Sequence, residues 1–262
     1  MWAKFIESPR IEKGLSASPL LSGDKLIVHL KDLIALDLRT GKECWRTALT
    51  ATHASPVLAR LNAEDIVVSP AGAVVRVSDG KVLGKGPFRS SDNSPVVAGD
   101  TVCVSGRGAF KLSLTGDGGL KVASVWGTDG DDRGAGRGGR GGRGGQKRYP
   151  SPLVHDGLLY TANTSGTLEV LDMKSGESVY RQRLPVRQVY ASLTLAGGLI
   201  YVLDTDGTAV VFKPGRKFER VAVNKLEGTG SCPAFAGDHL YVRGRKYLYC
   251  VSTKSREGKP KE

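Results

Sequence analysis

Pro150–Leu184, PSPLVHDGLLYTANTSGTLEVLDMKSGESVYRQRL, contains four short runs rich in apolar or β-branched residues. They are separated by Asp156-Gly157, Ser165-Gly166 and Ser175-Gly176. Each dipeptide suits a tight hairpin, because glycine takes up the positive φ that closes such a turn without side-chain strain. The stretch therefore predicts an antiparallel meander of four strands. One sheet of that size has two faces to cover and cannot bury both alone, so it requires packed neighbours.

The neighbours lie on either side. Ser18-Pro19, Ser55-Pro56, Ser94-Pro95 and Ser151-Pro152 mark the heads of successive first strands, followed by Ser192-Leu193 and Cys232-Pro233. The spacings are 37, 39, 57, 41 and 40 residues, and taking an insert of about 18 residues out of the long one restores a period near 40. That is the period of a four-stranded propeller blade. The fold class read from the chain is all-β: a single β-propeller over residues 1–252, with antiparallel blades at about 16–47, 55–85, 94–126, 150–184, 190–224 and 231–252. The sixth blade supplies only three strands, and residues 1–8 form one strand too many. Placing Trp2–Ile6 beside Tyr247–Val251 closes a ring of six and hides the sheet edges. A seven- or eight-bladed parent, of which this chain is a fragment, is the rival architecture.

Hydrophobic residues make up 40% of the 262, ample for a core, and 35 glycines suit a chain of many hairpins. No run approaches the roughly 18 apolar residues of a membrane span. The start, Met1-Trp2-Ala3-Lys4-Phe5, lacks the basic-then-apolar pattern of a signal peptide. Cys44, Cys103, Cys232 and Cys250 are far apart, without C-x-x-C spacing, in apolar strand contexts. They read as buried thiols, indicating neither zinc nor a disulfide framework. Net charge is +12, of which residues 127–148 carry six Lys/Arg against three Asp, and the remainder is dispersed. Dispersed charge of this kind describes a soluble cationic surface better than a polyanion site.

The best-formed repeat end is Ala35-Leu36-Asp37-Leu38-Arg39-Thr40-Gly41-Lys42-Glu43-Cys44-Trp45. Ala35, Asp37, Thr40, Gly41 and Trp45 resemble the repeat of the pyrroloquinoline-quinone-like (PQQ-like) β-propellers, in which the glycine closes the third turn and the tryptophan docks between blades. Asp172, Gly176 and Tyr180 repeat the pattern with tyrosine in place of tryptophan, whereas Asp79-Gly80-Lys81-Val82-Leu83-Gly84 has no aromatic there. Trp45 and the Tyr180 ring are expected to be buried between blades, with the Tyr180 hydroxyl bonded. The wording of the C-terminal half looks like that of PQQ-like propellers of planctomycete-type bacteria, and the likeness covers nearly the whole chain outside the insert. It implies the fold and a periplasmic or extracytoplasmic location.

Three functions compete. The first is a non-catalytic binding or scaffolding module, monomeric and without cofactor, taking a protein partner on its loops and channel mouth. The second is a quinone- or metal-dependent oxidoreductase. Such enzymes hold their cofactor with adjacent cysteines, a stacking tryptophan and calcium, whereas no two cysteines are adjacent here, and Trp2, Trp45 and Trp126 sit at outer-strand positions. Asp204-Thr205-Asp206-Gly207 begins like a calcium loop, but Gly215 stands where the twelfth-position acid belongs, so a hairpin is the better reading. His29, His53, His155 and His239 are isolated, and no nucleophile motif occurs. The third function is a polyanion or single-stranded nucleic-acid binder using Arg133, Arg137, Arg140, Arg143 and Arg148 of the Gly/Arg-rich insert at 127–148. Its lack of aromatics and its three acids favour a solvated, disordered linker instead. The tail at 253–262 is charged.

Overall fold

Twenty-three β-strands and no helix make up residues 1–8, 17–127, 147–228 and 230–252, the part of the chain that a computed structural model describes. Blade one is β1 (Leu20–Ser22), β2 (Lys25–His29), β3 (Leu33–Asp37) and β4 (Glu43–Thr47). Blade two is β5 (Val57–Leu61), β6 (Glu64–Val68), β7 (Ala73–Arg76) and β8 (Val82–Lys85). Blade three is β9 (Val96–Ala98), β10 (Thr101–Val104), β11 (Gly108–Leu114) and β12 (Leu120–Gly127). Blade four, the meander quoted above, is β13 (Leu153–His155), β14 (Leu158–Ala162), β15 (Thr167–Asp172) and β16 (Ser178–Arg183). Blade five is β17 (Thr194–Ala196), β18 (Leu199–Leu203), β19 (Thr208–Lys213) and β20 (Glu219–Lys225), and blade six is β21 (Ala234–Ala236), β22 (His239–Arg243) and β23 (Leu248–Ser252). Within each sheet, strands pair antiparallel in chain order.

Burial follows position within the blade. All five residues of β14 are buried, because its sheet is packed on both faces, whereas β12 at the outer rim is half-buried or exposed throughout. The core is a series of interfaces between neighbouring blades. Ile27, Leu33 and Ala35 of blade one meet Val67, Val75 and Val77 of blade two. Phe110 of blade three packs with Val68 and Phe88, and Tyr160 and Val170 of blade four pack with Ile200 and Phe212 of blade five. Each aliphatic side chain so buried contributes about 1.5–3 kcal/mol.

The tryptophans couple the blades from outside. Trp45 Nε1 donates to the Val77 carbonyl at 2.8 Å and Trp126 Nε1 to the Met173 carbonyl at 2.8 Å. Their rings lie over Gly80 and Gly176, where a Cβ would come within 2.7 and 2.5 Å of ring carbons. Both glycines also have positive φ, +75° and +73°, so turn closure and tryptophan docking demand the same residue. Blade two lacks the aromatic, and the space over Gly84 is taken by Leu120 of blade three, 2.7 Å from where a Cβ would stand.

Three expectations need correction. Residues 1–8 carry no strand, and β23 is paired only with β22 among the described residues, so the expected ladder between Trp2–Ile6 and Tyr247–Val251 is not formed. The side chains of residues 1–8 nevertheless take on blade one the seat that a fourth strand takes on the blade after it, as Trp45 does on Val77 and Gly80. Trp2 Nε1 donates to the Leu38 carbonyl at 3.0 Å with its ring over Gly41, and Lys4 Nζ donates to the Gly41 carbonyl at 3.1 Å. Glu7 Oε1 accepts the Lys31 and Asp32 amides at 2.9 and 3.1 Å while Arg46 holds Oε2 at 2.6 Å. Burial pushes the Glu7 carboxyl up, but those two amides and the guanidinium outweigh it and hold it below the ordinary range.

Second, only Cys103 is buried, its thiol pushed up to about 12 by burial; Cys44, Cys232 and Cys250 are exposed. Cys44 lies on a rim strand, and Cys250 lies on a sheet face that no other blade covers among the described residues. Third, the Tyr180 ring is partly buried against Phe218, with centroids 6.5 Å apart, but its buried hydroxyl has no hydrogen-bond partner among the described residues.

Candidate interaction surfaces

A four-stranded meander sends its β-to-β connections alternately to opposite ends. The loop between second and third strands therefore shares one end with the connector to the next blade, and these segments together form one face of the propeller. That face is laced together by the repeat itself. The Ser18 amide donates to Ser55 Oγ at 2.8 Å, Ser55 to Ser94 at 2.9 Å, Ser94 to Ser151 at 3.0 Å and Ser151 to Ser192 at 3.0 Å. Ser192 then donates to Cys232 Sγ at 3.2 Å. The serines mark the repeat in sequence, and their hydrogen-bonding role was readable from the recurrence of one small acceptor side chain, with cysteine standing in at the end.

Further bonds stiffen the connectors around blades four and five. The Val189 amide donates to the Thr164 carbonyl, the Thr205 amide to Gln188, and Thr164, through both amide and hydroxyl, to Lys147. Asp204 is buried and accepts three backbone amides, from Arg187 at 3.0 Å, Asp206 at 3.0 Å and Thr208 at 2.7 Å. A carboxylate so used is a turn organiser, which agrees with the hairpin reading of that stretch. Tyr149 and Tyr190 meet at 5.1 Å between ring centroids at the edge of this face, and Tyr190 is 42% exposed.

The residues singled out in the sequence divide by place. Ala35 pairs with Trp45 across β3 and β4, and Asp37 Oδ1 accepts the Thr40 amide at 2.7 Å and the Thr40 hydroxyl, while the Gly41 amide returns to the Asp37 carbonyl. The Thr40 hydroxyl and amide hold the Asp37 carboxyl below its ordinary value. In blade four, Asp172 accepts the Lys174 amide at 3.0 Å and the Arg216 guanidinium at 2.9 Å, which hold its carboxyl low, the guanidinium most. Both sets are turn and docking residues, at the opposite face from the serine series.

Arg133, Arg137, Arg140 and Arg143 lie outside the described residues. Arg148 is described, and it does not serve as a free cation. Its guanidinium donates to Thr161 Oγ1 at 3.2 Å and pairs with Glu169 at 3.4 Å, while Asn93 Nδ2 bonds its carbonyl at 2.8 Å. Arg181 Nε holds the other oxygen of Glu169 at 2.7 Å. Arg148 and Gly127, the flanks of the insert, line a groove of about 250 Å3 between blades three and four, with Arg107, Trp126, Leu159 and Glu169 on its walls. The groove opens where the insert leaves and rejoins the propeller.

These features define a β-propeller built of PQQ-like repeats. The model of the family described as outer membrane protein assembly factor BamB matches residues 2–107 and 121–217, and the chain belongs to that family. No curated protein matches the sequence. Among solved structures, BamB from Moraxella catarrhalis is similar at a TM-score of 0.64 and 16% identity, over 95% of this chain and 73% of that one. The computationally designed Ika8 protein is similar at 0.54 and 11% identity, over 91% and 73%. At such identities the likeness concerns the fold. No helix among the described residues is long and apolar enough to cross a membrane.

Proposed function

We propose that the chain is a non-catalytic propeller that binds or scaffolds a protein partner on the face carrying the serine series. The observation that carries the reading is the stiffness of that face: connectors from consecutive blades are hydrogen-bonded to one another, so Tyr149, Tyr190 and Arg187 are presented on fixed backbone. A rigid surface bearing tyrosine and arginine loses little entropy on binding, and these residue types dominate interface energetics. Membership of a family described as an assembly factor supports a protein partner and an extracytoplasmic setting.

A photoreactive residue at Tyr190, in the chain returned to a native extract, is expected to crosslink to one discrete protein. The same group at Gly197, on the opposite face, is expected to give none. Equal labelling at both positions, or none at either, would remove the reading. Replacing residues 134–145 by a Gly/Ser loop of equal length and measuring binding of single-stranded RNA at two salt concentrations separates this function from polyanion binding, which is salt-sensitive.

A further inference from the structure

We infer that the groove between blades three and four binds an acidic side chain of a protein partner, with the carboxylate on Arg148 and an apolar or aromatic neighbour against Trp126, Leu159 and Leu171. The inference rests on the protein-binding reading and names the partner's chemistry. The repeat itself marks the site. The fourth residue of the second strand is Val28, Val67, Val104, Val202 and Val242 in five blades, but Thr161 in blade four. Val67, Val104, Val202 and Val242 all belong to the cores shared with the preceding blade. Across the third strand these five valines pair with Ile34, Val75, Gly108, Val210 and Tyr249, whereas Thr161 pairs with Glu169. Blade four thus places a hydroxyl and a carboxylate where the other blades carry no charge.

Thr161 is 1% exposed and the Glu169 side chain 13%. Burying such groups in place of valine costs stability unless they are bonded, and here their bonds hold a cation in place. Arg181 binds Glu169 Oε1 through both Nε and Nη2, which by itself balances the carboxylate charge. Arg148 is added to that neutral pair: Nη1 donates to Thr161 Oγ1 at 3.2 Å and Nη2 to Glu169 Oε2 at 3.4 Å. A guanidinium has five N–H donors, so three remain for a ligand among the described residues. Arg107 lines the same groove, and the charge in excess is positive. Room for a ligand exists because blade three is slender there. Gly106, Gly108 and Gly127 form its wall, and only Cys103 and Ala109 meet Leu159 in the buried core of this interface. At about 250 Å3 the groove lies below the roughly 300–1,000 Å3 of small-molecule sites and suits a single side chain with its neighbour. A carboxylate answers the guanidinium with a charge-assisted bond, and an apolar or aromatic neighbour covers the indole and leucine walls that an inorganic anion would leave wet.

The test pans a phage-displayed library of random octapeptides on the full chain and follows the most enriched sequence, fluorescein-labelled, by anisotropy. An aspartate or glutamate beside an aromatic or aliphatic residue is expected to be enriched. Replacing that acid by its amide is expected to weaken binding at least tenfold to the wild type and less than twofold to Arg148→Gln, in which the contact is already lost. Thr161→Val copies the other five blades and keeps the fold, so it serves even where Arg148→Gln does not fold. It removes the hydroxyl that positions Arg148, and is expected to weaken the peptide at least threefold without lowering the melting temperature. Enrichment without an acidic residue, an equal amide penalty in wild type and Arg148→Gln, or a lowered melting temperature of Thr161→Val with unchanged peptide binding would overturn the inference. So would displacement of the peptide by phenylacetate or by oligouridylate at lower concentration than by unlabelled peptide, which would make the occupant a small acid or a nucleic-acid phosphate. Crosslinking at Tyr190 reads the serine-bearing face separately, so its persistence in Arg148→Gln would leave the broader function standing when this inference fails.

Discussion

Blade one and blade six, the first and last of the series, carry the same register and differ in what lies against them. Leu33 is fully buried because Val67 and Val75 of blade two stand over it; Leu248 fills the matching position and is 68% exposed. The two leucines show that burial in a repeat protein is a property of the neighbour as much as of the residue. Trp2 teaches the same lesson in reverse. It docks over Gly41 as Trp45 docks over Gly80, although its own segment pairs with no sheet.

The comparison is broken most sharply by truncating both leucines. Leu33→Ala is expected to cost about 2–5 kcal/mol, and Leu248→Ala less than about 0.5 kcal/mol, by chemical denaturation of the two variants. Similar costs would mean that blade six is covered as blade one is. Trp45→Ala comes next, at about 3 kcal/mol, since its ring packs over Gly80 and its indole N–H loses the Val77 carbonyl. A loss below about 1 kcal/mol would remove the docking account.

A smaller effect sets acid sensitivity at the blade-one end. His29 is buried on β2, facing the Leu49 carbonyl with Asp32 and Glu7 near, and burial holds its pKa below the ordinary histidine value. The unfolded chain then takes up the proton first, so stability is full above the histidine range and falls as pH drops through it. Glu7, whose folded pKa is depressed, adds its own loss only at lower pH, through the carboxylate range. Melting temperature is expected to fall from pH 7.5 to pH 5.5 in the wild type and to change less in His29→Gln. Equal slopes would locate the sensitivity elsewhere. The smallest effect concerns the thiols: Cys44, Cys232 and Cys250 should react with Ellman's reagent in the folded protein, and Cys103 only on unfolding.

Much of this was legible in the residues. Asp156-Gly157, with φ of +47° and +71°, and Gly166 and Gly176, also at positive φ, turn where the dipeptides predict, and the serine spacing gives the six repeats. What could not be read were relations across the ring. Local spacing gives strand order inside a blade, but the seat of Trp2 depends on a glycine 39 positions away, and the exposure of Cys250 on a face that only another chain segment could cover. Arg148 illustrates the limit at the interaction face. By composition it belongs to the Gly/Arg-rich insert, whereas Glu169 and Thr161, brought beside it by β14 and β15, turn it into part of a groove wall.

Trp2 is seated on blade one while the far edge of β23 carries no ladder among the described residues. Hydrogen exchange resolved to single amides measures it directly. The account predicts strong protection throughout β3, which is paired on both edges, and protection in β23 only for amides bonded to β22, with the alternate amides of Leu248–Ser252 exchanging orders of magnitude faster. Uniform protection along β23, equal to that of β3, would contradict it.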